Sequence, residues 1–210
     1  MDRHEYLLDE NWYGSFYEIS LELGPVGNDA LAMQALRALW SQPEVRGPWR
    51  ERSDFDSEPD DAAIEIGEGH LYGCFILDDG SEVGCMSYLV RADGKSDWLD
   101  LAIPVGMLER RFSISYPLDM ATNPWMVEFD ERLARIGAAI YDVAPFRLGL
   151  IGEETSGVRS ASELTAQDCE RGGFLVPLSL WGKLAPKREP AMLTKEIAYA
   201  AYRGRHITFP

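Results

Sequence analysis

Cysteine and histidine are both scarce in this chain, with three of each in 210 residues. No Cys-x-x-Cys or Cys/His spacing occurs, which argues against a zinc site. His4, His70 and His206 are far apart in sequence, so none has a local partner for a metal site or a nucleophile–base pair. No apolar run approaches the roughly 20 residues that a membrane helix needs. No glycine-rich loop has phosphate-binding spacing, and Gly-x-Ser-x-Gly is absent. Internal repeats and low-complexity segments are missing as well. The opening Met1-Asp2-Arg3-His4-Glu5 lacks the basic start and apolar stretch of a signal peptide. These absences lead to an expectation of a cytosolic protein with reduced thiols, no metal and no cofactor.

What is present is an ordinary globular composition with a strong charge bias. The chain is 46% hydrophobic and 26% charged, enough apolar material for a core without covalent staples. Net charge is −15 and uneven: residues 1–70 hold 16 acids and 5 bases, whereas residues 141–210 hold 8 and 9. Such acidity repels a phosphate backbone or an anionic membrane and attracts a basic partner.

The most legible stretch predicts three antiparallel strands, 70–77, 82–90 and 97–103, joined at Asp79-Gly80 and Asp93-Gly94, pairs favoured by type I′ turns. Two-residue turns would set Phe75 opposite Gly84, Gly73 opposite Met86, Tyr88 opposite Leu99 and Met86 opposite Leu101. Leu71, Phe75, Met86, Tyr88, Leu99, Leu101 and Ile103 would then share the core face, with large side chains lying across strand glycines. Cys74 and Cys85 would face each other and pack as thiols, as would Cys169. The opposite face, with Tyr72, Ile76, Leu89 and Trp98, is mixed and calls for partial cover.

Elsewhere, residues 12–23 alternate. Tyr13, Tyr17, Ile19, Leu21 and Leu23 lie on one side, with Trp12, Phe16, Glu18 and Glu22 on the other, a half-buried strand with its acids in water. Gly24-Pro25 ends it, and Asn28 or Asp29 caps a helix to about Ser41. A loop follows over 42–69. Residues 107–114 predict a short helix or edge strand. Asn123-Pro124 opens a helix to about Val143, with Phe129, Leu133, Ile136 and Ile140 as its apolar stripe and Asp130 off it. Then come a strand at 146–151, a loop at 152–160, and a helix capped by Ser162 and ended by Gly172-Gly173. Last are a strand at 174–181, confined to an edge or bulge by Pro177, and a helix at 192–202 ended by Gly204. The order predicts a single α+β domain over 1–210, a partly antiparallel sheet with helices on one face.

Two stretches carry carboxylates that invite a functional reading. Asp54, Asp56, Glu58 and Glu65 occupy positions 1, 3, 5 and 12 of a calcium-loop pattern. Pro59 stands where that pattern needs glycine, so the segment reads as a solvated acidic loop. Gly152-Glu153-Glu154-Thr155-Ser156-Gly157 presents a carboxylate pair after a strand without a Walker lysine, and reads as a polar turn. Aromatic residues near the acidic loop, Trp12 and Phe16 above all, suit a protein-binding patch.

In size, acidity and the strand–Gly24-Pro25–helix opening at Tyr13–Ser41, the chain resembles the small acidic α+β immunity proteins that bacteria pair with toxins. The resemblance implies a non-enzymatic protein that binds a basic partner. On that expectation Asp54, Asp56, Glu58, Asp60 and Asp61 steer association, and Trp12 and Phe16 anchor it. Two alternatives stand beside it. One is an enzyme whose site assembles from distant residues, with Glu153 and Glu154 as candidate acids. The other is a homodimer formed through Tyr72, Ile76, Leu89 and Trp98.

Overall fold

The computed structural model describes residues 1–67, 69–91 and 96–203. The chain opens with a short helix, α1 (Arg3–Leu7), and a 3-10 turn at Asp9–Asn11. The strands are β1 (Phe16–Pro25), β2 (Val45–Trp49), β3 (Leu71–Ile76), β4 (Glu82–Arg91), β5 (Ser96–Pro104), β6 (Leu148–Glu153), β7 (Phe174–Pro177), β8 (Ala191–Met192) and β9 (Ile197–Ala200). They form one sheet in the order β2-β3-β4-β5-β1-β6-β7-β9-β8, every pairing antiparallel. The α+β expectation holds. β1 is the middle strand, flanked by β5 and β6.

Two long helices, α2 (Asp29–Trp40) and α4 (Trp125–Val143), pack together on one face of this sheet. Asn28 caps α2 by accepting the Leu31 N–H at 3.3 Å. The odd-numbered residues Tyr17, Ile19, Leu21 and Leu23 of β1 meet these helices, as do Phe129, Leu133, Ile136 and Ile140 of α4. The other face is covered in patches. Tyr6, Trp49, Phe55 and Cys74 make a small cluster at the β2–β3 end. At the far end α5 (Ala166–Arg171) and α6 (Leu178–Leu184) close over Trp98, Leu148, Leu150 and Phe174. A last short helix, α3 (Val105–Leu108), follows β5 directly.

The meander register is one residue off the expected one. Leu77 N–H donates to Ser81 O at 2.7 Å, so the loop has three residues, Asp78, Asp79 and Gly80, with only Gly80 at positive φ (77°). That is the three-residue hairpin, in which glycine takes the left-handed position, rather than a type I′ turn. Phe75 therefore pairs with Val83 and Gly73 with Cys85. A second one-residue shift pairs Leu89 with Leu99; the Asp93-Gly94 turn lies outside the described residues. The two shifts cancel, so β3 and β5 keep their expected faces and β4 alone is turned over. Val83 and Cys85 join the core, and Met86 and Tyr88 move to the opposite face. Leu89 packs toward the helices and Trp98 is buried on the other side, so the expected dimer patch is not one surface. Cys74 and Cys85 likewise point to opposite faces, and all three cysteines are free and buried. Gly73 is sheltered by Trp40 of α2, whose indole N–H donates to Ser87 Oγ at 3.0 Å, rather than by Met86.

Other departures have local causes. Trp12 ends the first 3-10 turn instead of lying in β1. The 42–69 stretch contains a strand, β2, at the sheet edge. Asn123 does not cap α4; its side chain closes the preceding loop by exchanging bonds with the Ser115 backbone, 2.8 Å each way. Thr165, not Ser162, caps the helix before Gly172. β7 lies inside the sheet: Pro177 is its last residue, and the next N–H, of Leu178, donates to Glu196 O at 2.9 Å. The expected final helix is strands β8 and β9 instead, because Ile197–Ala200 is buried on both sides beside β7. Gly204 and His206 lie outside the described residues.

Candidate functional site

The acidic loop is an ordered ledge built on an aromatic base. Phe55 packs against Tyr6 with centroids 4.5 Å apart, and Trp49 Nε1 donates to Ser57 O at 3.1 Å. Arg46 lies over both Trp49 and Phe55 at 4.8 Å and pairs with Glu82 at 2.8 Å. Several acids serve the loop itself. Asp54 and Glu51 form a reciprocal capping box around the 3-10 turn Arg52–Asp54. Asp60 caps the next turn, Asp61–Ala63, by accepting the Ala62 N–H at 2.9 Å, while its own N–H reaches Pro48 O at 3.0 Å. Asp56 pairs with Arg3 and Glu65 with Arg50, each at 2.6 Å. Glu58, Asp60 and Asp61 are exposed and enter no salt bridge among the described residues.

Three of the four calcium-pattern acids, Asp54, Asp56 and Glu65, thus serve three different local tasks. Among the described residues no group of three or more His, Cys, Asp or Glu could hold a metal ion. The two expected anchors are only partly presented. Trp12 sits half-buried between Tyr6 (5.1 Å) and Tyr72 (5.4 Å), with Arg52 over its ring and its indole N–H donated to Tyr6 O at 2.5 Å. Phe16, also half-buried, begins β1 opposite Pro104.

The sequence reading missed a second polar centre. Glu18 and Glu22 of β1, expected in water, are 2% and 1% exposed. They clamp the segment after β6. Glu18 Oε1 accepts the N–H groups of Thr155 at 2.6 Å and Ser156 at 2.8 Å. Glu22 Oε2 accepts the N–H of Ala161 at 2.6 Å, while its Oε1 takes the Ser96 hydroxyl at 2.7 Å and pairs with Arg147 at 3.3 Å. Asp100 of β5, fully buried, accepts the Ser156 hydroxyl at 2.7 Å. Tyr88 donates to Glu18 Oε2 at 3.3 Å.

Burial raises the pKa of Glu18 to about 8, helped by Asp100 and opposed by the two loop amides. Burial raises Asp100 too, to about 6, against the hydroxyls of Ser20 and Ser156. The candidate acids Glu153 and Glu154 are also spoken for. Glu153 accepts the Ser15 hydroxyl at 2.5 Å, and Glu154 the Phe16 N–H at 2.8 Å. Asp130, expected off the apolar stripe of α4, is buried and accepts a hydrogen bond from Tyr17 OH. Nothing local in the sequence marks these acids as interior. The burial of Glu18 and Glu22 follows from the central position of β1, which only the strand order reveals.

Comparison of the chain with protein-family models, curated proteins and solved structures finds no match.

Proposed function

We propose that this is a non-enzymatic binding protein whose acidic surface engages a basic protein, in the manner of an immunity or inhibitor protein. The observation that carries the reading is the ledge at 51–65. Its backbone is held by caps and an aromatic base, and Asp56, Glu58, Asp60 and Asp61 stand exposed on it in a chain of net charge −15. A fixed array of carboxylates needs little ordering on association and raises the rate of encounter with a basic surface. The interior carboxylates are engaged in holding the 155–161 segment to the sheet. That supports a structural rather than catalytic use for them.

The test is capture from lysate of the native organism, with the protein immobilised and eluted by a salt step. Its control is the triple variant Asp56→Lys, Glu58→Lys, Asp61→Lys, which spares the capping acids Glu51, Asp54 and Asp60 and moves the net charge from −15 to −9. A basic protein held by the wild type and lost by the variant is expected, with an association rate lowered about tenfold or more at low salt. Equal recovery on both, or retention of nothing basic, would overturn the reading.

A further inference from the structure

A cavity of about 260 Å³ opens between the β3–β4 turn and the first two turns of α4. Leu77, Phe112, Trp125 and Phe129 form its apolar walls. Phe112 and Trp125 stack at 5.0 Å with their planes 15° apart, and Phe129 meets both edge-on. A dry cavity of about 150 Å³ is enough to hold benzene, so this one has room for a single ring with a polar substituent. Its aromatic walls favour a flat ring packed against them.

The polar part of the lining sets the substituent. Trp125 Nε1 and Arg132 Nε are buried donors with no hydrogen-bond partner among the described residues. As a charge Arg132 is already committed, because its Nη1 pairs with Asp78 at 2.6 Å and the guanidinium lies over Phe75 at 5.7 Å. Asp79 is engaged as well, accepting the Ser81 N–H at 2.8 Å. Glu128, exposed at the rim, enters no salt bridge among the described residues.

A charged ligand of either sign meets an obstacle here. A cation would face Arg132 and, if it only donates, would leave both buried donors stranded. An anion would supply the acceptor, but it would face the carboxylates of Asp78, Asp79 and Glu128 against one guanidinium. A carboxamide meets both conditions without charge. Its carbonyl accepts from the buried donors, and its N–H₂ is a donor for Glu128. We propose that this cavity binds a small, uncharged aromatic amide, with the ring against the Phe112–Trp125–Phe129 walls and the carbonyl toward Trp125 Nε1 and Arg132 Nε. The site shares no residue with the acidic ledge and does not rest on the basic-partner reading.

The probes are benzamide and its two charged isosteres, benzoate and benzamidinium. Each is titrated at pH 7 into isotopically labelled full-length protein while the six tryptophan indole N–H signals are followed. The Trp125 signal is assigned by its loss in Trp125→Phe, or through its contacts with the Phe112 ring protons where that variant does not fold. Benzamide is expected to move the Trp125 signal downfield, as a new acceptor requires, and to saturate in the millimolar range, the scale of so small a ligand. Benzoate and benzamidinium are expected to bind at least tenfold more weakly. No saturable shift at Trp125 with benzamide, equal shifts at all six tryptophans, or a charged isostere binding as tightly as benzamide would overturn the site.

Discussion

Glu18 lies beneath Ser156 and accepts its backbone N–H at 2.8 Å, across 138 positions of sequence. The Ser156 hydroxyl turns the other way and donates to Asp100 at 2.7 Å. One residue of the 155–161 segment therefore bridges two buried acids on neighbouring strands. Glu22 repeats the device two pleat repeats further along, at Ala161. The middle of the sheet is sealed by polar bonds, where both ends are sealed by apolar packing.

These acids make stability depend on pH. Glu18 and Asp100 are raised in the folded state, so the native protein keeps protons that the unfolded chain has released. Their contribution is complete below the unfolded carboxylate range and is lost as pH climbs through about 6 and about 8. Each pH unit with one extra proton on the native state removes about 1.4 kcal/mol. Urea unfolding should therefore show stability falling from about pH 5 to about pH 8.5. In Glu18→Gln, which keeps an acceptor for the loop amides, at least half of that slope should vanish. Equal slopes in the two proteins would count against the assignment.

Glu22 should matter through the loop it holds. In Glu22→Ala the Ala161 N–H and the Ser96 hydroxyl lose their acceptor. The expected loss is about 2–3 kcal/mol in urea unfolding, the cost of stranded buried polar groups. Amide hydrogen exchange at residues 155–161 should quicken more than in α2 or β3. Uniform acceleration across the chain would show that the segment is not held locally.

Trp40 lies so close to β3 that residue 73 has no space for a side chain. A Cβ there would come within 2.5 Å of both Trp40 Cζ3 and Arg46 O. Gly73→Ala is expected to cost about 3 kcal/mol or more, since neither the indole nor the strand backbone can yield cheaply. Gly67→Ala, which meets nothing within 4 Å, should stay within about 0.5 kcal/mol. Similar midpoints for the two variants would refute the packing account.

The three thiols should be silent until the protein opens. Burial pushes Cys74 up to about 12 and Cys169 up to about 11, and raises Cys85 as well. A thiol reagent at neutral pH should label native protein only at the rate of opening, and all three cysteines at once in denaturant. Rapid labelling of Cys74 in native protein would contradict its place under Tyr6 and Trp49.

Legibility in the sequence tracked how local the determining forces were. α2 with its cap narrowed to Asn28 or Asp29, the stripe of α4 and the apolar alternation Tyr17–Leu23 were all readable, because each depends on neighbours within a turn or two. The β3–β4 turn shows the limit. Asp79-Gly80 announces a hairpin, but a two-residue and a three-residue loop share that pair, and the difference turned β4 over. The last strands were misread because Ile197–Ala200 is apolar on every position, which suits a helix as well as a strand until β7 offers a partner. Of the expected site, the acidic loop was legible as charge. Its internal pairing with Arg3 and Arg50, 53 and 15 residues away, was not.

The sequence by itself determined the class of fold, most element positions, the helix-facing side of β1 and an acidic charge concentrated in the first third of the chain. Only the tertiary structure decided which acids are surface and which are interior. A carboxylate on a half-buried edge strand and one on a central strand look alike in sequence. Strand order put β1 between β5 and β6, brought 155–161 across its outer side, and left Glu18, Glu22 and Asp100 with amides and hydroxyls in place of water.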